Sequence, residues 1–136
     1  MPELFYSKVE KDKLLHIVNR KNEIEEKRND ISPSEEYLQV SCFSLPEGKT
    51  FQAHKHVPVS RKTEITQESW IVIQGKIKAF FYDLDNSFLG EVILQEGDCS
   101  ITFYGGHNYL SLEDETLVYE YKTGPYFGKV VDKVPI

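Results

Sequence analysis

The chain has 136 residues and a formal net charge of -6. This length suits a single domain with one core. The negative charge argues against nucleic acid as a partner, because binding to the phosphate backbone requires concentrated Lys and Arg. The chain begins without an apolar stretch of secretory length, and no apolar run approaches the roughly 20 residues that cross a bilayer. We therefore expect a cytoplasmic protein that binds neither nucleic acid nor membrane.

The apolar pattern predicts an all-β protein, since eight Tyr, eight Phe and many Val and Ile residues alternate with turns rich in Gly, Pro, Asp and Asn. Residues 14–18 fit either a strand or the end of a short helix, and residues 19–34 fit a loop or a short helix. Eight strands are then predicted: Tyr37–Leu45, Thr50–His56, Glu68–Gln74, Lys76–Tyr82, Leu89–Leu94, Cys99–Phe103, Asn108–Leu112 and Thr116–Lys122. We expect one domain, with residues 1–36 as an N-terminal extension and residues 37–136 as the β domain with a C-terminal tail.

Two cysteines, Cys42 and Cys99, fall inside predicted strands and are not a closely spaced pair. Because a cytosolic environment keeps thiols reduced, we interpret both as small core residues and not as a disulfide or as metal ligands. His16 stands apart from the other histidines and is interpreted as an ordinary surface or packed residue.

Histidines and carboxylates suggest a metal site. Successive side chains of a strand point to opposite sides, so His54 and His56 would share one face and could share a metal. His107 lies further along the chain. The carboxylate ligand is either Glu64, in a polar stretch that contains proline, or Glu68, at the start of an alternating strand. We favour Glu68.

The glycine spacing around these residues resembles a known motif. Five residues separate Gly48 from His54, and six separate Glu68 from Gly75. This G(X)5HXH…E(X)6G pattern resembles the first motif of the cupin superfamily. The second cupin motif is only partly matched, with Gly105 in register and His107 one residue early. The resemblance implies four metal ligands, namely His54, His56, Glu68 and His107.

A narrower resemblance extends to the C-terminus. The His-x-His strand, Gly105-Gly106-His107 and the tail from Tyr119 to Lys133 resemble the WbuC-type cupin-fold metalloproteins, found among surface-polysaccharide genes. The resemblance implies a double-stranded β-helix, the cupin jelly-roll barrel, with a short N-terminal extension. It also implies a metal site and a sugar-related context, without specifying a reaction.

Imidazole and carboxylate ligands suit divalent transition metals such as Fe, Mn, Ni, Cu or Zn. A metal with open positions could polarise a carbonyl or lower the pKa of a bound water, which suits isomerisation, hydrolysis or, with iron, oxygen chemistry. The alternative interpretation is that His54 and His56 are ordinary strand residues and that His107 is a turn residue.

Three residues are candidates for substrate binding. Arg61 and Lys62 follow the His-x-His strand and would either contact an anionic group or remain solvated. Trp70 lies on the same strand face as Glu68 and would border the cavity, either as a core residue or as a substrate platform.

The candidate catalytic residues lie on the last strand. Tyr119 and Tyr121 share one face and Glu120 the other. The tyrosines would either line the pocket or only fill it, and a tyrosine or Glu120 would move the proton.

Three functions stay open: a metal-dependent isomerase or epimerase acting on a small anionic oxygen-rich ligand such as an activated sugar, an iron-dependent dioxygenase of a small acid or thiol, and a non-catalytic binding protein. We also expect a homodimer to which residues 1–30 contribute, because jelly rolls leave sheet edges that require cover.

Overall fold

The structure, a computed structural model, describes residues 1–136. It contains ten strands: β1 (Glu3–Tyr6), β2 (Leu14–Asn19), β3 (Asn29–Asp30), β4 (Ser41–Cys42), β5 (Glu68–Gln74), β6 (Lys76–Tyr82), β7 (Phe88–Gln95), β8 (Cys99–Thr102), β9 (Gly106–Ser111) and β10 (Leu117–Lys122). A 3-10 turn (Lys21–Glu23) and one short helix, α1 (Lys129–Asp132), complete the elements. Every strand pair is antiparallel. The predicted all-β class is confirmed.

The strands form three sheets. The largest has the order β1-β2-β8-β5-β10, a second has the order β7-β6-β9, and β3 pairs with β4. Strand β6 alternates between buried and half-buried residues, as expected of a strand with one face toward a core. The main core joins the two larger sheets and consists of Val18, Val72, Ile77, Ala79, Phe81 and Leu94.

The N-terminal segment is part of the largest sheet. Strand β1 pairs with β2, and β2 pairs with β8. Residues Leu15–Asn19 of β2 are all buried, so both faces of this strand are covered. A strand buried on both faces has no apolar-polar alternation, which is why the sequence pattern did not distinguish strand from helix here. Residues 1–36, predicted as an extension, thus contribute two strands to the sheet that carries the core.

The predicted strand Thr50–His56 is wrong. No strand occurs between β4 and β5, and every residue from 44 to 66 is exposed. The predicted strand Tyr37–Leu45 is reduced to the two residues of β4. Alternation of side chains defines a strand only where a neighbouring strand bonds the backbone, and residues 50–56 have no such neighbour.

The other six predicted strands are confirmed. Glu68–Gln74 and Lys76–Tyr82 match β5 and β6 at both ends, and the remaining four agree within two residues at each end. Gly75, the single residue between β5 and β6, has a positive φ of 84° that suits glycine. No helix of the structure is long and apolar enough to cross a membrane.

Both cysteines are free thiols. Cys99 is buried in β8, and burial raises the pKa of its thiol to about 11. Cys42 is half-buried and packs against a second core cluster around Ile101 and Phe103. These positions agree with the prediction that both are small core residues.

Candidate functional site

A cavity of about 560 Å³ is lined largely by polar residues. Its walls come from β5, β8, β9 and β10 and from the C-terminal residues. The residues that matter for its chemistry are Glu68, Trp70, Thr102, His107, Tyr109 and Glu120.

Strand register places a row of polar residues across the largest sheet. Lys122 of β10 is opposite Glu68 of β5, which is opposite Thr102 of β8, which is opposite His16 of β2. Residues directly opposite each other in antiparallel strands project from the same face. Residues far apart in the chain thereby become neighbours.

A second row lies two residues further along the same strands. Glu120 is opposite Trp70, and Trp70 is opposite Ser100. From the other sheet, Tyr109 of β9 stacks on Trp70 with ring centroids 3.9 Å apart and planes 9° apart. The Tyr109 hydroxyl lies 2.9 Å from Ser100 Oγ, and burial raises the pKa of this tyrosine. Tyr109 is therefore neutral and joins the two sheets at the cavity wall.

Glu68 is the centre of an ion-pair cluster. Its Oε1 lies 3.3 Å from His107 Nε2 and accepts a hydrogen bond of 3.0 Å from Trp70 Nε1, and its Oε2 lies 3.4 Å from Lys122 Nζ. Burial disfavours the charged carboxylate, but the hydrogen bond from His107 and the charges of His107 and Lys122 outweigh this and lower the pKa of Glu68 to about 2. Glu68 is therefore ionised at neutral pH.

Glu120 shares two of these donors. It accepts a hydrogen bond of 3.0 Å from Trp70 Nε1, and its Oε2 lies 3.2 Å from Lys122 Nζ. Partial burial lowers the pKa of Lys122, but hydrogen bonding and the charges of Glu120 and Glu68 raise it overall. Lys122 thus bridges two carboxylates on adjacent strands.

The protonation state of His16 determines which atoms of this network donate hydrogen bonds and which accept them. It is fully buried, and desolvation lowers its pKa to about 4, so it is neutral at pH 7. Its Nε2 faces the Tyr82 carbonyl oxygen at 3.2 Å and must therefore be the nitrogen that donates. Its Nδ1, 2.9 Å from Thr102 Oγ1, must then accept the hydroxyl hydrogen of Thr102.

The roles of the two ring nitrogens of His107 follow from the same hydrogen bonds. Thr102 Oγ1 also lies 2.9 Å from His107 Nδ1. Because the Thr102 hydrogen is directed to His16, the Thr102 oxygen accepts from His107 Nδ1. His107 Nε2 is then the nitrogen directed at Glu68. The 3.3 Å contact is longer than the roughly 2.7–2.9 Å usual for a charge-assisted hydrogen bond, so Nε2 can also contact a ligand in the cavity.

The C-terminal segment forms another wall. Thr66 Oγ1 donates a hydrogen bond of 3.2 Å to Asp132 Oδ1, and Lys133 and Ile136 line the cavity. The tail that carries part of the cupin resemblance is thus next to Glu68 and His107 in space.

The four predicted metal ligands separate into two pairs. Two ligands in adjacent positions around one ion are about 3 Å apart, and Glu68 with His107 fits this spacing. His54 and His56 lie in the exposed segment, with ring centroids 5.5 Å apart, and His54 Nδ1 lies 2.9 Å from the Gln52 carbonyl oxygen. No group of three or more His, Cys, Asp or Glu is arranged to hold a metal ion. The complete set does not fit a metal in this arrangement.

The predicted substrate-binding residues also separate. Trp70 lines the cavity, whereas Arg61 and Lys62 are exposed and are not part of its wall. Arg61 donates a long hydrogen bond of 3.5 Å to the Val59 carbonyl oxygen within its own segment. The rival carboxylate, Glu64, is likewise exposed, so Glu68 is the carboxylate that meets His107.

Of the predicted catalytic residues, only Glu120 lines the cavity. Tyr119 and Tyr121 are 59% and 56% exposed and lie beside each other, with ring centroids 6.3 Å apart. The strand alternation was correct, but the face that reaches the cavity carries Glu120 and Lys122.

Sequence reasoning gave no role to several residues of the network, namely His16, Ser100, Thr102, Tyr109 and Lys122. A common signal was available, because the cavity strands supply polar or aromatic pairs two residues apart, such as His107 with Tyr109 and Glu120 with Lys122. Only the register shows which pairs meet.

Comparisons of the chain with protein-family models, curated proteins and solved structures find no match. Function is therefore inferred from the geometry of the site.

Proposed function

We propose that the cavity binds a small, oxygen-rich ligand such as an activated sugar and that the protein acts as an isomerase or epimerase on it. The observation that carries this proposal is the pairing of Glu68 with His107, 3.3 Å apart at the wall of a cavity of about 560 Å³. A cavity of this size suits a small molecule, and convergent polar groups beside aromatic rings are typical of ligand sites.

The lining supports recognition of a sugar. The carboxylates of Glu68 and Glu120, both paired with Lys122, can accept hydrogen bonds from hydroxyl groups, and His107 can donate to ligand oxygens. Lys133 at the cavity wall supplies a further cation for the phosphate or carboxylate of an activated sugar. Arg61 and Lys62, predicted for this role, are exposed and are not part of the cavity wall.

The proposed proton transfer follows from the protonation states. Glu68, with a pKa of about 2, is too weak a base to accept a proton at neutral pH and orients its neighbours instead. In its neutral form His107 carries its hydrogen on Nδ1, where Thr102 accepts it, so Nε2 is free to take a proton from a carbon next to a keto group. Glu68 then pairs with the charged imidazolium that forms. Proton removal and return at such a carbon constitute an isomerase or epimerase reaction.

Exchange of solvent deuterium into a keto-sugar, followed by NMR, tests this proposal. Replacing His107 by Gln should slow exchange by about 100-fold or more, the usual contribution of a general base. Tyr119→Phe is the matched control, because this exposed tyrosine should leave exchange unchanged. Full exchange in His107→Gln, or loss of exchange in Tyr119→Phe, would assign the proton transfer to another residue.

The spacing of Glu68 and His107 also favours a second candidate, the metal-binding protein that the cupin resemblance implies. Elemental analysis of the isolated protein would then give about one divalent metal per chain. His54→Ala with His56→Ala should remove the metal if the exposed segment supplies ligands, and His107→Gln should remove it in either case. Full occupancy in His107→Gln contradicts this candidate. Oxygen uptake with ferrous iron would distinguish a dioxygenase.

A further inference from the structure

A second cavity, also of about 560 Å³, lies away from the first and shares no lining residue with it. Pairing of β3 with β4 places the chain before β3 beside the chain after β4, and the bond of 2.6 Å from Ser44 N to the Glu25 carbonyl oxygen extends this contact. Residues 26–28, 43–46, 49 and 51 supply its lining.

The lining exposes aromatic surface in a concave position. Phe43 and Phe51 meet edge to face, with ring centroids 6.1 Å apart and planes 75° apart. Phe51 is 59% exposed and Leu45 is 54% exposed. Apolar surface that is open to water yet lines a concave site is typical of binding sites for ligands with a flat or apolar part.

The same cavity is rich in cations. Lys27, Arg28 and Lys49 line it together with a single carboxylate, Glu26. Of the three cations only Arg28 forms an ion pair, with Asp30 at 2.8 Å, and neither lysine takes part in any ion pair of the chain. This local positive charge contrasts with the net charge of -6 for the whole chain.

Two of these cations lie near the two phenyl rings of the cavity. Lys49 Nζ lies 5.4 Å from the centre of the Phe51 ring, and Arg28 Cζ lies 5.8 Å from that of Phe43. A ligand that combines a planar ring with a nearby negative group would stack on an exposed phenyl face and pair with a lysine at the same time. Neither a neutral ring nor a simple anion satisfies both features.

We propose that this basic-aromatic cavity, formed by Lys27, Arg28, Phe43, Lys49 and Phe51, binds a nucleoside diphosphate. Its base stacks on Phe51, and its phosphates pair with Lys49 and Lys27. This site is independent of the proposed function, because the first cavity contributes none of its residues.

Isothermal titration with three probes tests the two halves of the ligand. Uridine diphosphate should bind with saturation, whereas uridine and pyrophosphate should each bind at least tenfold more weakly, since each lacks one half. If pyrophosphate binds as tightly as uridine diphosphate, binding depends on charge alone and the proposal is overturned. Absence of saturable binding by uridine diphosphate at millimolar concentration would also overturn it.

Single substitutions locate the binding. Phe51→Ala and Lys49→Gln should each raise the Kd for uridine diphosphate by about tenfold. Phe88→Ala and Lys11→Gln are the matched controls, because Phe88 is 56% exposed in β7 and Lys11 is exposed in the turn between β1 and β2. The four substituted residues are exposed, so folding should be preserved, which circular dichroism checks. If the controls weaken binding as much as Phe51→Ala and Lys49→Gln do, the ligand is not in this cavity.

Discussion

Glu68 and His107 meet from two different sheets, with Glu68 Oε1 3.3 Å from His107 Nε2. Glu68 lies on β5 of the five-stranded sheet and His107 on β9 of the three-stranded sheet. Their contact therefore exists only when the two sheets face each other. This makes the pair both a candidate reactive site and a stabilising link between the sheets.

Removing the Glu68 carboxylate should destabilise the protein. Glu68→Gln removes the negative charge that pairs with His107 and Lys122 in a largely buried position, so we expect the free energy of unfolding to fall by about 1–3 kcal/mol. Urea unfolding followed by circular dichroism measures this. Glu64→Gln is the control, since an exposed residue should change stability by less than about 0.5 kcal/mol. Equal effects of the two substitutions would show that the cluster does not stabilise the fold.

His16 should make stability depend on pH. Burial lowers its pKa from 6.5 to about 4, so the unfolded chain takes up the proton at higher pH than the folded protein does. The stability linked to His16 is therefore fully present above about pH 6.5 and is lost as the pH falls to about 4. One pKa unit corresponds to about 1.4 kcal/mol, so the loss amounts to at most about 3 kcal/mol.

The neutral variant His16→Gln isolates this contribution. Its unfolding free energy should fall less than that of the wild type between pH 6.5 and pH 4, since the other titrating groups are common to both proteins. Urea unfolding at a series of pH values gives the comparison. Parallel curves for the two proteins would mean that His16 titrates normally in the folded state.

The turn between β5 and β6 should tolerate no side chain at Gly75. A Cβ there would lie 2.9 Å from Thr116 Cα and still closer to Thr116 Oγ1, and the φ of 84° is unfavourable for other residues. Gly75→Ala should cost about 1 kcal/mol for the backbone and about 1–3 kcal/mol more for the clash. Gly48 has a φ of 80° but open space around it, so Gly48→Ala should show only the backbone cost. If Gly75→Ala and Gly48→Ala lower stability equally in thermal unfolding, the clash with Thr116 makes no contribution.

The expected homodimer should depend on the N-terminal strand. Strand β1 is an outer strand of the five-stranded sheet, and its Leu4 and Tyr6 are 48% and 47% exposed. Leu4→Glu should convert a dimer into a monomer in light scattering at micromolar concentration. Strand β10 is the other outer strand, and Tyr119→Glu tests that edge. A monomeric wild type, or a dimer that only Tyr119→Glu disrupts, would contradict the role of β1.

Six of the predicted strands agree with the structure within two residues at each end. Strands β5 and β6 were correct at both ends because alternation and the glycine between them mark their limits. The sequence left residues 14–18 open between strand and helix, where the structure has β2, and it assigned a strand to Thr50–His56, where alternation occurs without a pairing partner. Local pattern shows which face a side chain takes, but not whether another strand lies beside it.

The residues of the candidate site could likewise be predicted only in part. The sequence identified Glu68, Trp70, His107 and Glu120, all of which line the cavity. Glu68, Trp70 and Glu120 carry suitable chemistry on predicted strands, and His107 directly precedes one. The sequence could not show that Thr102 and His16 orient His107, since this depends on the register of β2 with β8. Register is set by long-range pairing, which a single sequence does not display.

If a sugar ligand binds beside Glu68 and His107, an amide chemical-shift titration with glucose 1-phosphate shows it most directly. Saturable shifts are expected at residues 68–70, 107–109 and 120–122, and they should be reduced in the variant Lys133→Gln, which removes the cation at the cavity wall. Shifts confined to residues 43–51 would place the ligand in the other cavity. That result, or the absence of saturable shifts at millimolar ligand, would contradict the proposed function.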